Sequence, residues 1–265
     1  MEKTNIIVCG AAGKMGALII ELAHQRKDEF VIKAGVEIKG HPLIGKKSFT
    51  GIDITDNADD VISGKEVVID FSVPDATIKY LDICSRRKAP FVTGTTGLSP
   101  EQYSAIRKTA GVIPVFTAPN MSLGVNLFFE IVKFAAGILK EYEVEISEIH
   151  HHFKKDAPSG TAGKIAEMIC SASGKDPRET IRYGRAGMVG ARPSGEIGMH
   201  SLRLGDVVGE HYVYFGGKGE VMELAHRCYN RESFALGALK AAMFISDKPA
   251  GMYSMEDLIR EVLNV

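Results

Sequence analysis

Short apolar runs alternate with amphipathic segments through the first 120 residues. Ile6 to Cys9 reads as a buried strand, and after a glycine turn Leu18, Ile19, Leu22 and Ala23 fall on one helical face. Phe30 to Val36 is the next strand. Val67-Val68-Ile69-Asp70-Phe71 is the third, and its unbroken apolar character suits a strand covered on both faces. Phe91-Val92-Thr93 and Ile113-Pro114-Val115-Phe116 are shorter strands, with helical segments between them over 75–87 and 100–110. Strands alternating with helices predict an α/β fold with a doubly wound parallel sheet.

The pattern changes after Pro119-Asn120. A long helix is expected from Val125 to Tyr142, with Leu127, Phe128, Ile131, Val132, Ala135, Ile138 and Leu139 on its apolar face. Glu143 to Ile149 is strand-like, and a helix from Ser159 to Ala172 would bury Ala162, Ile165, Ala166, Ile169 and Cys170. Residues 173–196, rich in Gly, Arg and Pro, read as a long loop of the kind used in function or assembly. Three strands follow, Ile197 to Leu204, Val207 to Phe215 and Glu220 to His226, the last two joined by a glycine-rich hairpin at 216–219. This block is therefore α+β, with four strands in a mostly antiparallel or mixed sheet. The chain returns to helix at Phe234 to Ile245 and ends in a helix opened by a Ser254–Asp257 capping box. Two domains are expected, 1–121 plus 233–265 and the smaller 122–232.

Composition agrees: 265 residues at roughly 150 per domain fit two domains or one large α/β domain, and 45% hydrophobic and 25% charged exclude a disordered or collagen-like chain. A formal net charge of −1 offers no bulk attraction for nucleic acid or an anionic membrane. Cys9, Cys84, Cys170 and Cys228 lie far apart in or beside apolar runs, as buried thiols of a reducing compartment do. The apolar run at the N-terminus is too short for a signal-peptide core, and no stretch approaches the roughly 20 apolar residues of a membrane span. A cytoplasmic protein is expected.

Between the first strand and first helix lies Gly10-Ala11-Ala12-Gly13-Lys14-Met15-Gly16. Glycines at such a turn let a pyrophosphate approach the backbone, and the N–H groups and dipole of the helix that follows stabilise its charge. The spacing is GxxGxxG, so the context carries the reading: a strand before, an amphipathic helix after, and Glu37 about 20 residues further on, where an acid accepts hydrogen bonds from a ribose. A plain βα turn with a solvated Glu37 is the alternative. The carboxylate points to NADH, with NADPH tolerated through Lys39 and Lys14.

The densest chemistry is Glu148-Ile149-His150-His151-His152-Phe153-Lys154-Lys155-Asp156-Ala157-Pro158-Ser159-Gly160-Thr161-Ala162. Three consecutive histidines suggest a metal, yet on an extended chain His150 and His152 face one way and His151 the other, and no Cys/His pair elsewhere has ligand spacing. No metal is expected. A proton-donating, anion-binding pocket is the better reading, because His titrates near neutrality and Lys is cationic. The Pro158-Ser159-Gly160-Thr161 helix start, with open N–H groups and the Thr161 hydroxyl, would receive a carboxylate. The pattern suits a small dicarboxylate.

The segment from Glu148 to Ala162 resembles the E-x-H-H-x-x-K-x-D-A-P-S-G-T-A signature of the dihydrodipicolinate reductase family, and the resemblance covers essentially the whole chain. Gly10–Gly16, Asp70-Phe71-Ser72, Gly94-Thr95-Thr96-Gly97 and Ala118-Pro119-Asn120-Met121-Ser122 support it. It implies a Rossmann-type domain plus a smaller α/β domain, a homotetramer built through the second domain's sheet, and NADH or NADPH as cofactor. By position it implies His150 and Lys154 as catalytic residues and His151, Gly160 and Thr161 as substrate-binding. Gly94, Thr95 and Thr96, with Ala118, Pro119, Asn120 and Met121, would flank the nicotinamide, beside the Gly10, Ala11, Ala12, Gly13, Lys14, Met15 and Glu37 cradle. Ile38 stands where some members carry an arginine for the 2′-phosphate.

The implied reaction is reduction of 4-hydroxy-tetrahydrodipicolinate to tetrahydrodipicolinate with loss of water, in the diaminopimelate route to lysine. Lys154 would donate the proton and His150 assist, with domain closure about Asn120–Gly124 and Cys228–Ser233. Another nicotinamide-dependent imine or amino-acid dehydrogenase, or a nucleotide-sensing regulator without turnover, are the competing readings. Arg182, Arg185 and Arg192 are open between contact with substrate, contact with a neighbouring subunit and plain solvation.

Overall fold

The computed structural model describes residues 2–263 and separates into two units, one formed by the chain up to Leu123 and again from Glu232, the other by Gly124–Arg231. The first unit begins with β1 (Thr4–Cys9), α1 (Lys14–Gln25), β2 (Phe30–Val36), β3 (Ile54–Thr55), α2 (Ala58–Val61) and β4 (Val67–Asp70). It continues through α3 (Pro74–Arg87), β5 (Phe91–Thr93), α4 (Pro100–Ala110) and β6 (Pro114–Thr117). α5 (Leu123–Ile138) opens the second unit, which adds β7 (Glu143–His150), α6 (Gly160–Ser173), α7 (Pro177–Thr180), β8 (Ile181–Tyr183), β9 (Ile197–Arg203), β10 (Gly209–Gly217) and β11 (Glu220–Cys228). The chain returns to the first unit as α8 (Glu232–Ile245), β12 (Gly251–Tyr253) and α9 (Met255–Leu263).

In the first unit seven strands pair in the order β12-β6-β5-β4-β1-β2-β3, all in parallel. The apolar runs of β1 and β4 are buried on both faces. Ile6, Val8 and Ile69 pack with Ile19, Ile20, Ala238 and Leu239 of α1 and α8, while Ile7, Cys9 and Val68 pack with Leu81, Cys84 and Ile106 of α3 and α4. Each fully buried large aliphatic side chain contributes about 1.5–3 kcal/mol. Strand order reverses on either side of β1, the place where an open parallel sheet leaves a crevice beyond its strand ends.

In the second unit the order is β11-β10-β7-β9-β8, antiparallel over the first two pairings and parallel over the last two. The sheet is mixed because β7 to β9 and β8 to β9 run through crossovers, while Lys218-Gly219 closes a tight β10–β11 hairpin. Its inner face, Val144, Ile146, Ile197, Met199, Val213 and Phe215, packs under α5 and α6 through Val125, Phe128, Val132, Ala162, Ile165 and Ile169.

Several expected boundaries shift. α5 ends at Ile138 rather than Tyr142, and Leu127, Ile131 and Ile138 are exposed while Val125, Phe129 and Ala136 are buried. That helix is apolar almost all round, so spacing does not single out a face. The loop expected over 173–196 contains α7, started by the Asp176 side chain on the Arg178 amide, and β8, which makes the sheet five-stranded instead of four. The short β3, α2 and β12 carry too few residues to show a period. Cys9, Cys84 and Cys170 are buried, but Cys228 is only half-buried, its thiol against the Asn230 carbonyl at 3.1 Å.

Candidate functional site

Five loops leave the C-terminal ends of neighbouring strands in the first unit. Gly10 follows β1 with φ of 73°, a conformation glycine adopts without strain. A Cβ on Gly16 would stand 2.1 Å from the Gly10 carbonyl oxygen, so only glycine lets α1 start this close to the turn. α1 has Gly13 at its N-cap, with no side-chain cap and no acid in its first turn. That leaves amides of the first turn open to an anion. Gly13 and Lys14 are exposed, Ala12 and Met15 half-buried, and Gly10 and Ala11 buried beneath them.

Glu37, just past β2, accepts the Ala12 amide at 2.9 Å through one oxygen and the Ile38 amide at 2.9 Å through the other. The acid is therefore fixed beside the turn, and Lys39 is exposed. Beyond β5, Gly94 is half-buried and Thr96 exposed, but Thr95 is buried with its hydroxyl 3.0 Å from Asp70. Beyond β6, Pro119 is exposed and Asn120 half-buried, with the Asn120 side chain accepting the Ser122 amide at 2.9 Å. Ala118 and Met121 are part of the core. Asp70 itself has no exposed surface. It gathers hydroxyls from Ser72 at 2.5 Å, Thr77 at 2.6 Å and Thr93 at 3.0 Å as well as Thr95.

The second site grows from the end of β7. Along that strand Val144, Ile146, Glu148 and His150 face inward. The Glu148 carboxylate, fully buried, receives His150 Nδ1 at 2.5 Å, the two terminal nitrogens of Arg203 at 3.0 Å each, and the Ser159 amide at 3.1 Å. Burial opposes its ionisation, but hydrogen bonds from His150, Arg203 and Ser201 outweigh it and bring the carboxyl down to about 2. Ser159 caps α6 by accepting the Ala162 amide at 3.1 Å, and the next two amides, Gly160 and Thr161, have no acceptor among the described residues. Its hydroxyl also meets His211 Nε2 at 3.2 Å. Burial, helped by the neighbouring His150 charge, pushes His211 down to about 3, so it is a neutral imidazole.

Lys154 is largely sheltered, and its ammonium is 2.9 Å from the exposed Asp156 carboxylate. His151 is half-buried with an Nδ1 that meets no partner among the described residues. His152 points away to the Gly205 carbonyl at 2.8 Å. Among the described residues no group of three or more His, Cys, Asp or Glu side chains is placed to hold a metal ion.

The second unit thus brings His150, His151, Lys154, Gly160 and Thr161 into one continuous segment. Glu148 and Ser159 of the same segment join them, and Arg203 and His211 are added by the fold. Glu148 was legible as a residue two before His150, on the same strand face. Arg203 and His211 reach it only through register, Arg203 opposite His150 and His211 opposite Glu148. Arg185 and Arg192 are elsewhere: both bind Glu145, as does His200 at 2.8 Å, and Arg185 also pairs with Glu196. Arg182 is exposed.

The family model described as dihydrodipicolinate reductase, N-terminus, matches residues 4–121, and that described as dihydrodipicolinate reductase, C-terminus, matches 124–259. A 4-hydroxy-tetrahydrodipicolinate reductase of Anaeromyxobacter sp. (strain Fw109-5) is 43% identical over 96% of this chain and 97% of its own. One from Nitrosospira multiformis is 42% identical over 98% of each. Among solved structures, the dipicolinate-bound dihydrodipicolinate reductase of Paenisporosarcina sp. TG-14 superposes with a TM-score of 0.78 at 26% identity, covering 96% of this chain and 98% of that one.

Proposed function

The chain belongs to the dihydrodipicolinate reductase family, and we propose that it reduces 4-hydroxy-tetrahydrodipicolinate to tetrahydrodipicolinate, with loss of water, in the diaminopimelate route to lysine. It is an oxidoreductase that uses NADH or NADPH. The uncapped start of α1 and the Gly10 turn fit a dinucleotide diphosphate, and Glu37 held beside that turn fits a ribose. Ile38 after Glu37 supports NADH, while the exposed Lys14 and Lys39 support tolerance of NADPH.

The observation that carries the reading is the segment from His150 to Thr161, where an imidazole, an ammonium and an open helix start follow one another. Gly160 and Thr161 hold one substrate carboxylate through their amides and the Thr161 hydroxyl, and His151 contributes from the side. When bound, the reduced nicotinamide supplies the hydride that adds to C4 of the dehydrated ring. Lys154 delivers the proton taken up at C3, and His150 holds the electrostatic balance beside it. Asp156 keeps the Lys154 ammonium in place between turnovers.

The assembly is a homotetramer formed through the outer face of the second unit's sheet. Ile149, Leu202, Tyr212 and Tyr214 supply apolar and aromatic surface there. No helix of the described residues is long and apolar enough to cross a membrane. The buried thiols of Cys9, Cys84 and Cys170 support a place in the reducing cytoplasm. The test is a coupled assay on freshly generated substrate with each cofactor, in wild type and Lys154→Ala. A fall in kcat of about 10²–10⁴ is expected. Wild-type turnover by the variant removes Lys154 from the chemistry.

A further inference from the structure

We propose that Glu148 is the positioning residue of this site: it fixes the His150 ring through Nδ1, so that Nε2 alone is presented to substrate, and it ties that ring to the start of α6. The proposal rests on the assignment of His150 and of Gly160–Thr161 given above.

The geometry is saturated. One Glu148 oxygen takes His150 Nδ1 at 2.5 Å and an Arg203 nitrogen at 3.0 Å; the other takes the second Arg203 nitrogen at 3.0 Å and the Ser159 amide at 3.1 Å. An ionised carboxylate only accepts, so His150 Nδ1 carries the hydrogen. Neutral His150 then has its lone pair on Nε2, and the imidazolium has its second proton there. In either state the atom facing away from Glu148 is the one that exchanges protons. Gly209 leaves room beside it, since a Cβ at that position would lie 3.0 Å from Nε2. Arg203 spans from the carboxylate to the Asp156 carbonyl at 2.6 Å, and Ser159 caps α6, so one side chain references β7, β9, the loop bearing Lys154 and the helix that would grip substrate.

Folding alone gives no reason for a carboxylate there. Val144 and Ile146 occupy the same strand face with aliphatic side chains, and a buried ion pair is on average no more stable than a well-packed apolar replacement. The charged groups set against His150 are Glu148 from its own strand and Arg203 from β9, which shares that carboxylate, while Lys154 pairs with Asp156 in the following loop. His211 of β10 packs edge-on with ring centres 5.4 Å apart.

Glu148→Gln tests the idea in the full-length enzyme, because the amide keeps the shape and can offer its own N–H to Nδ1, enforcing the opposite tautomer. With Glu148→Gln, kcat should fall about ten- to hundredfold while KM for substrate changes by about threefold or less. The limb of the pH–rate profile that disappears in His150→Gln should move to lower pH in Glu148→Gln, and Glu148→Asp should restore part of that movement. In wild type, ¹⁵N shifts of neutral His150 should report the Nδ1–H tautomer, a readout that does not depend on any variant folding. Wild-type kcat and pH profile in Glu148→Gln alongside a slow His150→Gln overturn this inference alone. An Nε2–H tautomer in wild type does the same. A fully active His150→Gln overturns the underlying assignment together with it.

Discussion

The Glu37 carboxylate holds the Ala12 amide of the glycine turn at 2.9 Å, so the acid that ends β2 and the turn that ends β1 are one unit. In the proposed cofactor site the remaining acceptor positions of Glu37 would meet ribose hydroxyls, and its charge would repel a 2′-phosphate. Glu37→Gln should therefore raise KM for NADH about tenfold, the worth of a charge-assisted hydrogen bond, and lower KM for NADPH. Steady-state kinetics with both cofactors at saturating substrate give the ratio directly. An unchanged ratio means that Glu37 does not read the ribose.

Asp70 organises the loop that the proposed function sets beside the nicotinamide in the same unit. Its hydroxyl partners include Thr93 on β5 and Thr95 in the loop that follows, so the carboxylate sets where the Gly94–Thr96 loop leaves the sheet. Asp70→Asn replaces an acceptor with a donor among hydroxyls that can rotate, so the loss should be about 1–3 kcal/mol. The melting temperature should fall by several degrees, and KM for NADH should rise while KM for the dicarboxylate does not. Equal changes in both constants would make Asp70 a general stabiliser rather than a cofactor-loop support.

The long, strongly patterned elements were legible in the chain, and so was the segment on which the proposed chemistry lies. The α6 burial pattern, Ala162, Ile165, Ala166, Ile169 and Cys170, follows directly from helical spacing because its other face is polar. The α5 face did not follow, because Phe134 and Ile138 are as apolar as the residues that are buried. At the site, His150 and Lys154 stand in one contiguous segment. Arg203 and His211 join them only once β9 and β10 pair with β7, and no local signal encodes that register. Thr95 shows a third limit: nothing in the loop sequence signals that its hydroxyl turns inward to Asp70.

The outer face of the five-stranded sheet gives a separate prediction. Leu202 on β9 is 44% exposed beside Ile149, its register partner on β7, in a patch continued by Tyr212 and Tyr214. Leu202→Lys would place a charge in the subunit contact of the proposed tetramer. Sedimentation should then show a smaller particle than wild type at the same concentration, with the far-ultraviolet spectrum unchanged. A tetramer of undiminished affinity would move the contact to another surface.

Stability should decline in acid in two stages, and the sign follows from which state binds protons. His211 is held near 3 in the fold against an ordinary 6.5, because burial and the neighbouring His150 charge disfavour its imidazolium. The unfolded chain therefore takes up a proton below 6.5 that the folded chain refuses. The contribution of His211 is complete above 6.5 and is lost as pH falls toward 3. Glu148 and Glu145 are both held near 2 against an ordinary 4.5, their hydrogen bonds outweighing burial. Their contribution is complete above 4.5 and is lost as pH falls toward 2, as the unfolded carboxylates protonate first. Urea unfolding at a series of pH values should show ΔG falling already between 6.5 and 5, then more steeply below 4.5. Glu148→Gln should flatten the second stage and leave the first. NMR titration supplies the independent check, with the His211 ring still neutral at pH 5; an imidazole that titrates near 6.5 there would leave the upper stage without its cause.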